Sequence, residues 1–172
     1  GVALINCLPK TAWPPTFYNA KKYVYINTPY LIIDDEMKRA LITAAHSGVD
    51  VRITVPHIPD KKYVYAVTKA FCTPLIKEGV HIYFYSPGFI HAKSIVSDGN
   101  ACIIGSSNMD FRSFYLHCEC NIMFFDKEIC EDLHDDYLQT CAESELMTEK
   151  KTKTNFLRKI YRSVLRVFAP LM

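Results

Sequence analysis

The sequence predicts an α/β protein in which helices cover both faces of a mixed β-sheet. Strand-like stretches recur along the chain, and helix-like stretches with one apolar face lie between most of them. One pair of strand-like stretches is separated by only a short turn, which predicts an antiparallel hairpin. Strands that alternate with helices pair in parallel, so the hairpin makes the predicted sheet mixed.

The first predicted strand covers residues 23–27, where aromatic and β-branched residues alternate, and Thr28-Pro29-Tyr30 closes it. The next helix has Asp34 as its N-cap and ends at Gly48. Acidic residues in its first turn stabilise it, because a helix N-terminus carries partial positive charge. Its predicted apolar face consists of Met37, Ala40, Leu41 and Ala44.

The middle of the chain continues this alternation. Residues 49–55 and 80–85 are predicted strands, and residues 60–78 between them are a predicted helix that Pro74 kinks or breaks. The inward face of that helix is expected to contain Tyr63, Val67, Ala70 and Phe71. A strand over residues 118–125 and a final helix follow. The predicted apolar face of the final helix consists of Ile129, Leu133, Tyr137, Leu138 and Cys141.

The hairpin contains the most informative residues. Its first strand is predicted to begin at His91, and because side chains alternate along a strand, His91 and Lys93 are expected on one face. Their separation is then about 7 Å at a rise of ~3.3 Å per residue. Asp98 and Gly99 end this strand, and Gly99 or Asn100 can adopt the positive φ that a tight turn requires.

The returning strand is expected to bring Ser106 and Asn108 back towards His91. An imidazole, an ammonium, a hydroxyl and a carboxamide on one small surface suit a reaction at phosphorus. Lys93 and Asn108 would hold the non-bridging oxygens while His91 acts as nucleophile or proton donor. The structural alternative is a histidine–lysine pair without chemical function on an exposed strand.

These residues resemble the signature of the phospholipase D superfamily: His-x-Lys, four residues, Asp, six residues, then Gly-(Ser/Thr)-x-Asn. All fixed positions are matched, by His91, Lys93, Asp98, Gly105, Ser106 and Asn108. Three further features look like the family's flanking sequence: Pro87-Gly88-Phe89, Asn108-Met109-Asp110-Phe111-Arg112-Ser113, and Glu119. The resemblance is to the second, C-terminal half of bacterial cardiolipin synthases, and it covers about residues 23–172.

The resemblance implies that two such motifs, from two halves of a chain or two subunits, meet across one pocket. One histidine attacks phosphorus and forms a phosphohistidine, while the other protonates the departing alcohol. In a cardiolipin synthase both alcohols belong to phosphatidylglycerol, so a phosphatidyl group is transferred and glycerol is released. The resemblance implies no metal and no other cofactor.

The resemblance also assigns roles to residues. His91 is expected to be nucleophile or general acid, and the sequence leaves both open. Lys93 and Asn108 are expected to bind phosphate oxygens, and Glu119 to orient the imidazole through a hydrogen bond. Asp98 belongs to the catalytic motif, with an expected structural role at the strand end. Further candidates are Ser106 as a helper in phosphate binding, and Tyr30, Arg112 and Ser113 as pocket residues.

Two other functions stay open. A single-motif chain could complete its pocket by two-fold pairing, as a homodimeric phosphodiesterase or nuclease. The chain could also be an inactive fragment that docks on membrane, because the sequence contains one motif. A net charge of only +2 gives no general case for nucleic acid as a partner. The expected partners are therefore phosphatidylglycerol, an anionic membrane surface and a second motif.

Composition and charge distribution suggest three regions. The 172 residues are 49% hydrophobic, which suits a folded domain and excludes general disorder. Residues 1–22 are expected to be an irregular remnant, because Trp13-Pro14-Pro15 argues against a helix there. Residues 23–148 form the predicted catalytic domain. Residues 149–172 form a basic amphipathic tail, since acidic residues crowd the segment before it and basic residues the tail itself.

The tail predicts peripheral membrane binding. Its apolar residues Phe156, Leu157, Ile160, Tyr161, Val164, Leu165 and Phe168 share one helical stripe, and Arg158, Lys159, Arg162 and Arg166 lie opposite. About 15 residues at 1.5 Å each give ~22 Å, which is too short to cross a bilayer but suits its interface. The alternative is a helix packed on the domain. We expect the protein at the cytoplasmic face of the cell membrane.

The seven cysteines are odd in number and irregularly spaced, which favours reduced, buried thiols in a cytosolic compartment. His117-Cys118-Glu119-Cys120 with Cys130 and His134 is a conceivable metal site. Cys-x-Cys lacks the usual zinc spacing, however, so structural cysteines are favoured.

Overall fold

A computed structural model of the chain describes residues 2–6 and 13–152. Its strands are β1 (Val2–Asn6), β2 (Tyr23–Asn27), β3 (Leu31–Ile32), β4 (Asp50–Pro56), β5 (His81–Tyr85), β6 (Ser94–Ser97), β7 (Ala101–Gly105), β8 (Met109–Asp110), β9 (Cys120–Phe124) and β10 (Ser144–Leu146). Its helices are α1 (Trp13–Asn19), α2 (Asp35–His46), α3 (Lys62–Lys77), α4 (Phe111–Tyr115), α5 (Lys127–Ala142) and α6 (Glu149–Thr152).

One mixed sheet organises the described part of the chain. Its eight strands lie in the order β1-β9-β7-β6-β2-β4-β5-β10. The central strands β2, β4 and β5 are parallel, whereas the remaining neighbours pair antiparallel, including the β6–β7 hairpin. Strands β3 and β8 form a separate parallel pair. The predicted mixed sheet is confirmed.

Helices cover both faces of the sheet, as the sequence predicts. Val24 and Ile26 of β2 are fully buried in a core shared with residues of α1, α2 and α3. Tyr25 lies on the opposite face and packs with Tyr137 and Cys141 of α5. Alternate residues of one strand therefore enter two different cores, because successive side chains point to opposite faces.

Helix α2 is as predicted. The Asp34 side chain accepts a hydrogen bond from Met37 N at 2.9 Å, and the buried residues of the helix are Met37, Ala40, Leu41 and Ala44. Helix α3 differs from its prediction at Tyr63, which is 48% exposed, while Val64 is buried instead. Pro74 lies inside α3 without ending it.

The prediction of an irregular segment over residues 1–22 is wrong for the part that the structure describes. Strand β1 pairs antiparallel with β9, from Val2 opposite Phe124 to Asn6 opposite Cys120. Helix α1 begins at Trp13, so Pro14 and Pro15 fall in its first turn, where a missing backbone N–H costs no helical hydrogen bond. Trp13 and Phe17 are buried in the core.

The C-terminal part of the described chain adds strand β10, which pairs antiparallel with β5 at the sheet edge, and the short helix α6. The predicted amphipathic helix of the tail, over residues 154–168, lies outside the described residues. Among the residues that are described, no helix is long and apolar enough to span a bilayer.

The cysteine prediction holds only in part. Cys72, Cys102, Cys130 and Cys141 are buried, whereas Cys118 and Cys120 are exposed. Burial together with the neighbouring Cys130 raises the pKa of Cys102 to about 12. Within residues 2–6 and 13–152, no three or more His, Cys, Asp or Glu side chains are grouped to hold a metal ion.

Gly105, at the end of β7, is the position where the sheet admits no side chain. A Cβ atom placed there would lie 2.2 Å from Asn121 Oδ1 and 2.4 Å from the Cys120 backbone carbonyl oxygen. Both distances are far below van der Waals contact, and the second neighbour is backbone that cannot rotate away. The close approach of β7 to β9 therefore requires glycine.

We predict that Gly105→Ala lowers the free energy of unfolding by about 1–3 kcal/mol, because the strands must separate to admit a methyl group. Chemical denaturation followed by circular dichroism measures the change. Gly88→Ala is the matched control, since nothing lies within 4 Å of a Cβ atom there. Equal stability of the two variants would contradict the packing argument.

Candidate active site

The site lies where the chain enters and leaves the β6–β7 hairpin. Strand β6 begins at Ser94, so His91 and Lys93 precede it and do not lie in a regular strand as predicted. The Gly105 N–H donates to the Lys93 carbonyl oxygen at 3.2 Å, which continues the hairpin by one pair beyond β6. His91 is beyond that last pair, and its side chain is exposed.

The opposite end of the hairpin is the turn. Asp98 and Gly99 have positive φ values of 54° and 67°, so both adopt the left-handed conformation. Positive φ was predicted for Gly99 or Asn100 but not for Asp98. The Asp98 carboxylate accepts hydrogen bonds from the backbone N–H groups of Lys21 at 2.6 Å, Lys22 at 2.9 Å and Tyr23 at 2.9 Å. Asp98 thus anchors the entry to β2, and strand β6 separates it from His91. These contacts suit the structural role at the strand end that was expected of Asp98, and its place in the catalytic motif stays a prediction.

Four of the predicted site residues surround one open cleft of about 570 Å³: His91, Lys93, Ser106 and Asn108. Leu133 and Asp136 of α5 complete part of its wall. The structure therefore brings together the imidazole, ammonium, hydroxyl and carboxamide that the sequence singled out. The two α5 residues were not anticipated, because they are distant from the motif in sequence.

The Lys93 side chain also contacts the His91 backbone. Lys93 Nζ donates to the His91 carbonyl oxygen at 2.7 Å, and the His91 ring stacks on Phe89 with centroids 5.7 Å apart. Partial burial lowers the pKa of Lys93, while the Glu119 and Asp110 carboxylates act in the opposite direction. A cation that faces the cleft and retains N–H donors is suited to bind an anionic oxygen.

Glu119 is fixed by two serine hydroxyls. Ser106 Oγ donates to one carboxylate oxygen of Glu119, and Ser113 Oγ donates to the other at 3.0 Å. His117 Nδ1 lies 3.6 Å from the same carboxylate. The expected hydrogen bond to His91 is absent among the described residues, because the Glu119 oxygens face Ser106, Ser113 and His117 instead.

A hydrogen bond from its backbone N–H holds Asn108 in place. Its N–H donates to Ser113 Oγ at 3.0 Å, and the Ser113 N–H donates to Asp110 Oδ1 at 2.8 Å, which caps α4. Asp110 is only 5% exposed, and this burial raises its pKa, against hydrogen bonds from Ser113 and Asn108 that lower it. Asn108 Oδ1 is buried and has no hydrogen-bond partner in the part of the chain that the structure describes.

Tyr30 and Arg112 lie on a neighbouring cavity of about 220 Å³, not on the His91 cleft. The Tyr30 hydroxyl donates to Asp60 Oδ2 at 2.5 Å, and burial followed by this hydrogen bond raises the pKa of Tyr30. Asn108 lines both the cavity and the cleft. Ser113, the third candidate pocket residue, is buried and acts as a support of Glu119 and Asn108.

Sequence reasoning missed two polar residues that the structure places at this site. Asp110 lines the neighbouring cavity, and its sequence signal is its position two residues after Asn108. His117 contacts Glu119 on one side. On the other side, its Nε2 atom lies 3.2 Å from Arg112 Nη2. Because arginine can only donate, His117 Nε2 accepts this hydrogen bond.

Comparison with known proteins agrees with this geometry. The family model described as "Cardiolipin synthase, PLD-like domain" matches residues 15–140. The chain belongs to this phospholipase D-like family. An uncharacterized protein of Streptococcus mutans is 40% identical to it over 154 residues, which are 89% of this chain and 33% of that protein. A cardiolipin synthase of Clostridium perfringens is 39% identical over 157 residues, which are 90% of this chain and 33% of that enzyme.

The family's fold is found in solved structures too. The phospholipase D family member Nuc of Salmonella typhimurium has a TM-score of 0.73 at 15% identity, with 86% of this chain and 98% of that chain covered. The phosphatidylserine synthase of Haemophilus influenzae has a TM-score of 0.76 at 13% identity, with 99% and 45% covered. By contrast, this chain spans only about a third of the cardiolipin synthases that it matches.

We predict different effects on stability for two of the motif residues. Asp98→Asn keeps a side chain that tolerates positive φ but removes the carboxylate, and should lower the free energy of unfolding by about 1–2 kcal/mol. His91→Ala should change it by less than about 0.5 kcal/mol, because the ring is exposed. Urea denaturation of both variants measures this. A stable Asp98→Asn protein, or a strongly destabilised His91→Ala protein, would contradict the assignment.

Proposed function

We propose that the chain carries one catalytic half of a cardiolipin synthase-like phosphatidyltransferase, with a second motif completing the pocket. The observation that supports this most strongly is the open cleft that His91, Lys93, Ser106 and Asn108 share, in a chain of this family. Only one His-x-Lys motif is present in the sequence. The chain also matches about a third of the length of the cardiolipin synthases.

In the first step of the proposed reaction, a histidine nitrogen attacks the phosphorus of phosphatidylglycerol. The N–P bond forms as the bond from phosphorus to the glycerol oxygen breaks, and the opposing histidine donates a proton to that oxygen. Lys93 and Asn108 hold the non-bridging oxygens as negative charge shifts onto them. Glycerol leaves, and a phosphatidyl group remains on the histidine.

In the second step, a hydroxyl of another phosphatidylglycerol attacks the same phosphorus. The new P–O bond forms as the N–P bond breaks, and the hydroxyl proton passes to the histidine that acted as acid. His91 is one of these two histidines. A lysine in the cleft serves both steps, because the phosphate keeps its negative charge throughout.

A homodimer is the second candidate arrangement. In its support, the structural match covers 98% of the Nuc chain. The solved Nuc chain therefore consists of little more than one domain of this kind. Two copies related by a two-fold axis would each contribute one His91, and the acceptor would be an alcohol or water. Such a protein would act as a phosphodiesterase or nuclease. An inactive membrane-docking fragment is the third candidate.

We predict that His91→Ala lowers phosphatidyl transfer by at least about a hundredfold, because the imidazole provides nucleophilic or proton-transfer chemistry. The assay follows cardiolipin and glycerol formation from phosphatidylglycerol vesicles by thin-layer chromatography. His46→Ala is the matched control, since its side chain is 58% exposed, pairs with Glu78 and does not line the cleft.

Size-exclusion chromatography with light scattering on the same samples separates the three candidates. Cardiolipin formation that disappears in His91→Ala supports the transferase. A dimer that hydrolyses diesters without forming cardiolipin supports the second candidate. A wild-type chain that stays inactive towards every substrate, even when mixed with the N-terminal half of a cardiolipin synthase as the source of a second motif, supports the third. Undiminished cardiolipin formation by folded His91→Ala would refute the proposed catalytic role of His91.

We also propose that the basic tail attaches the protein to the cytoplasmic face of the membrane, next to its anionic substrate. Each basic residue near such a surface contributes ~1 kcal/mol, and the tail has several. We predict that a chain ending at Lys153 sediments less with phosphatidylglycerol vesicles than the full chain, and that added salt releases the full chain. Equal sedimentation of both chains would mean that the tail packs on the domain.

A further inference from the structure

A second concave site adjoins the His91 cleft. This acceptor cavity, as we call it, has a volume of about 220 Å³ and is lined by Tyr30, Ile32, Lys61, Tyr63, Val64, Asn108, Asp110, Arg112 and His117. Asn108 lines it and the His91 cleft alike. The two concavities therefore lie next to each other, on either side of Asn108.

The cavity contains donors for an anion. Arg112 and Lys61 are exposed and carry positive charge, and the His117 contact uses only one of the five guanidinium N–H donors. Lys61, Tyr63 and Val64 belong to the start of α3, and no side chain caps that helix end. Uncapped N–H groups at the end of a 16-residue helix add partial positive charge to the same wall.

The cavity also contains acceptors for hydroxyl groups. Asp110 and Asn108 line it with a carboxylate and a carboxamide, and Asn108 Oδ1 is a buried atom with no hydrogen-bond partner among the described residues. Pockets for drug-sized ligands measure about 300–1,000 Å³, so this cavity is suited to a small polar headgroup and not to acyl chains. Donors for a phosphate and acceptors for hydroxyls together fit a phosphoglycerol group.

We propose that the acceptor cavity binds the phosphoglycerol headgroup of the lipid whose hydroxyl attacks, with its own phosphate on Arg112 and Lys61. This inference rests on the proposed function, in which that hydroxyl must reach the phosphorus held by Lys93 and Asn108. The product headgroup, a glycerol that links two phosphates, would then extend from the His91 cleft past Asn108 into the cavity. Asp110 would accept a hydrogen bond from the glycerol.

Calorimetric titration of the full chain with soluble headgroups tests the proposal. Glycerol 1,3-bisphosphate carries both phosphates, whereas glycerol 3-phosphate and inorganic phosphate carry one. The bisphosphate should bind about tenfold or more tighter than either, because it gains charge-assisted hydrogen bonds in the second concavity. Equal affinities, or no binding of the bisphosphate, would overturn the proposal.

Two substitutions locate the second phosphate. Arg112→Gln should abolish the advantage of the bisphosphate over inorganic phosphate, because it removes the second phosphate site. Lys93→Gln should weaken all three probes. Lys127→Gln is the matched control, since that lysine is 82% exposed and does not line the cavity. A bisphosphate advantage that persists in Arg112→Gln would also overturn the proposal.

Titration with the soluble lipid dihexanoyl-phosphatidylglycerol shows whether the ligand of the cavity is a lipid headgroup or a free metabolite. If the cavity accepts the lipid headgroup, Arg112→Gln weakens its binding; dependence on Arg112 for glycerol 3-phosphate alone would overturn the lipid assignment. A wrong proposed function would give a different result. No cardiolipin would form, but the bisphosphate would still bind more tightly than inorganic phosphate, and this difference would still require Arg112.

Discussion

The hydrogen bonds from Ser106 and Ser113 to the Glu119 carboxylate are the interaction on which the rest of the site depends. They connect three elements that are separate in sequence: the end of β7, helix α4 and the start of β9. Ser113 Oγ also accepts the Asn108 backbone N–H, so this hydroxyl holds the backbone of the residue whose side chain lines the cleft. A charged acceptor that receives two hydroxyl donors is a stronger anchor than a neutral one.

This anchor depends on a close approach of two backbone segments. Gly105 lies against β9 so closely that any side chain there would meet Asn121, and the next residue then provides the hydroxyl for Glu119. The chain emerges with Asn108 between two concavities, one with His91 and one with Arg112. The same junction thus underlies both proposals, the phosphate site in the His91 cleft and the acceptor headgroup in the neighbouring cavity.

The sequence predicted the features that local chemistry determines. The capped helix α2 and the hairpin follow from patterns of neighbouring residues, and the cleft group follows from motif spacing. The prediction of an irregular N-terminal segment was wrong because the sequence does not show where the helix begins. Proline disrupts a helix interior but is tolerated in the first turn, and helix α1 begins at Trp13. Tyr63 was expected inside because periodicity fixes the spacing of a helical face but not its exact edge. The partners of Glu119 and the contribution of α5 to the cleft depend on tertiary contacts between distant residues, which one sequence does not reveal.

A crystal structure of the chain with orthovanadate, a mimic of the phosphoryl transition state, tests the central claim most directly. We expect vanadate in the cleft, with its oxygens hydrogen-bonded to Lys93 Nζ and the Asn108 carboxamide. A His91 ring nitrogen should contact the vanadium or one of its apical oxygens. Vanadate bound elsewhere on the chain, or bound in the cleft with Lys93 and Asn108 directed away from it, would contradict the account.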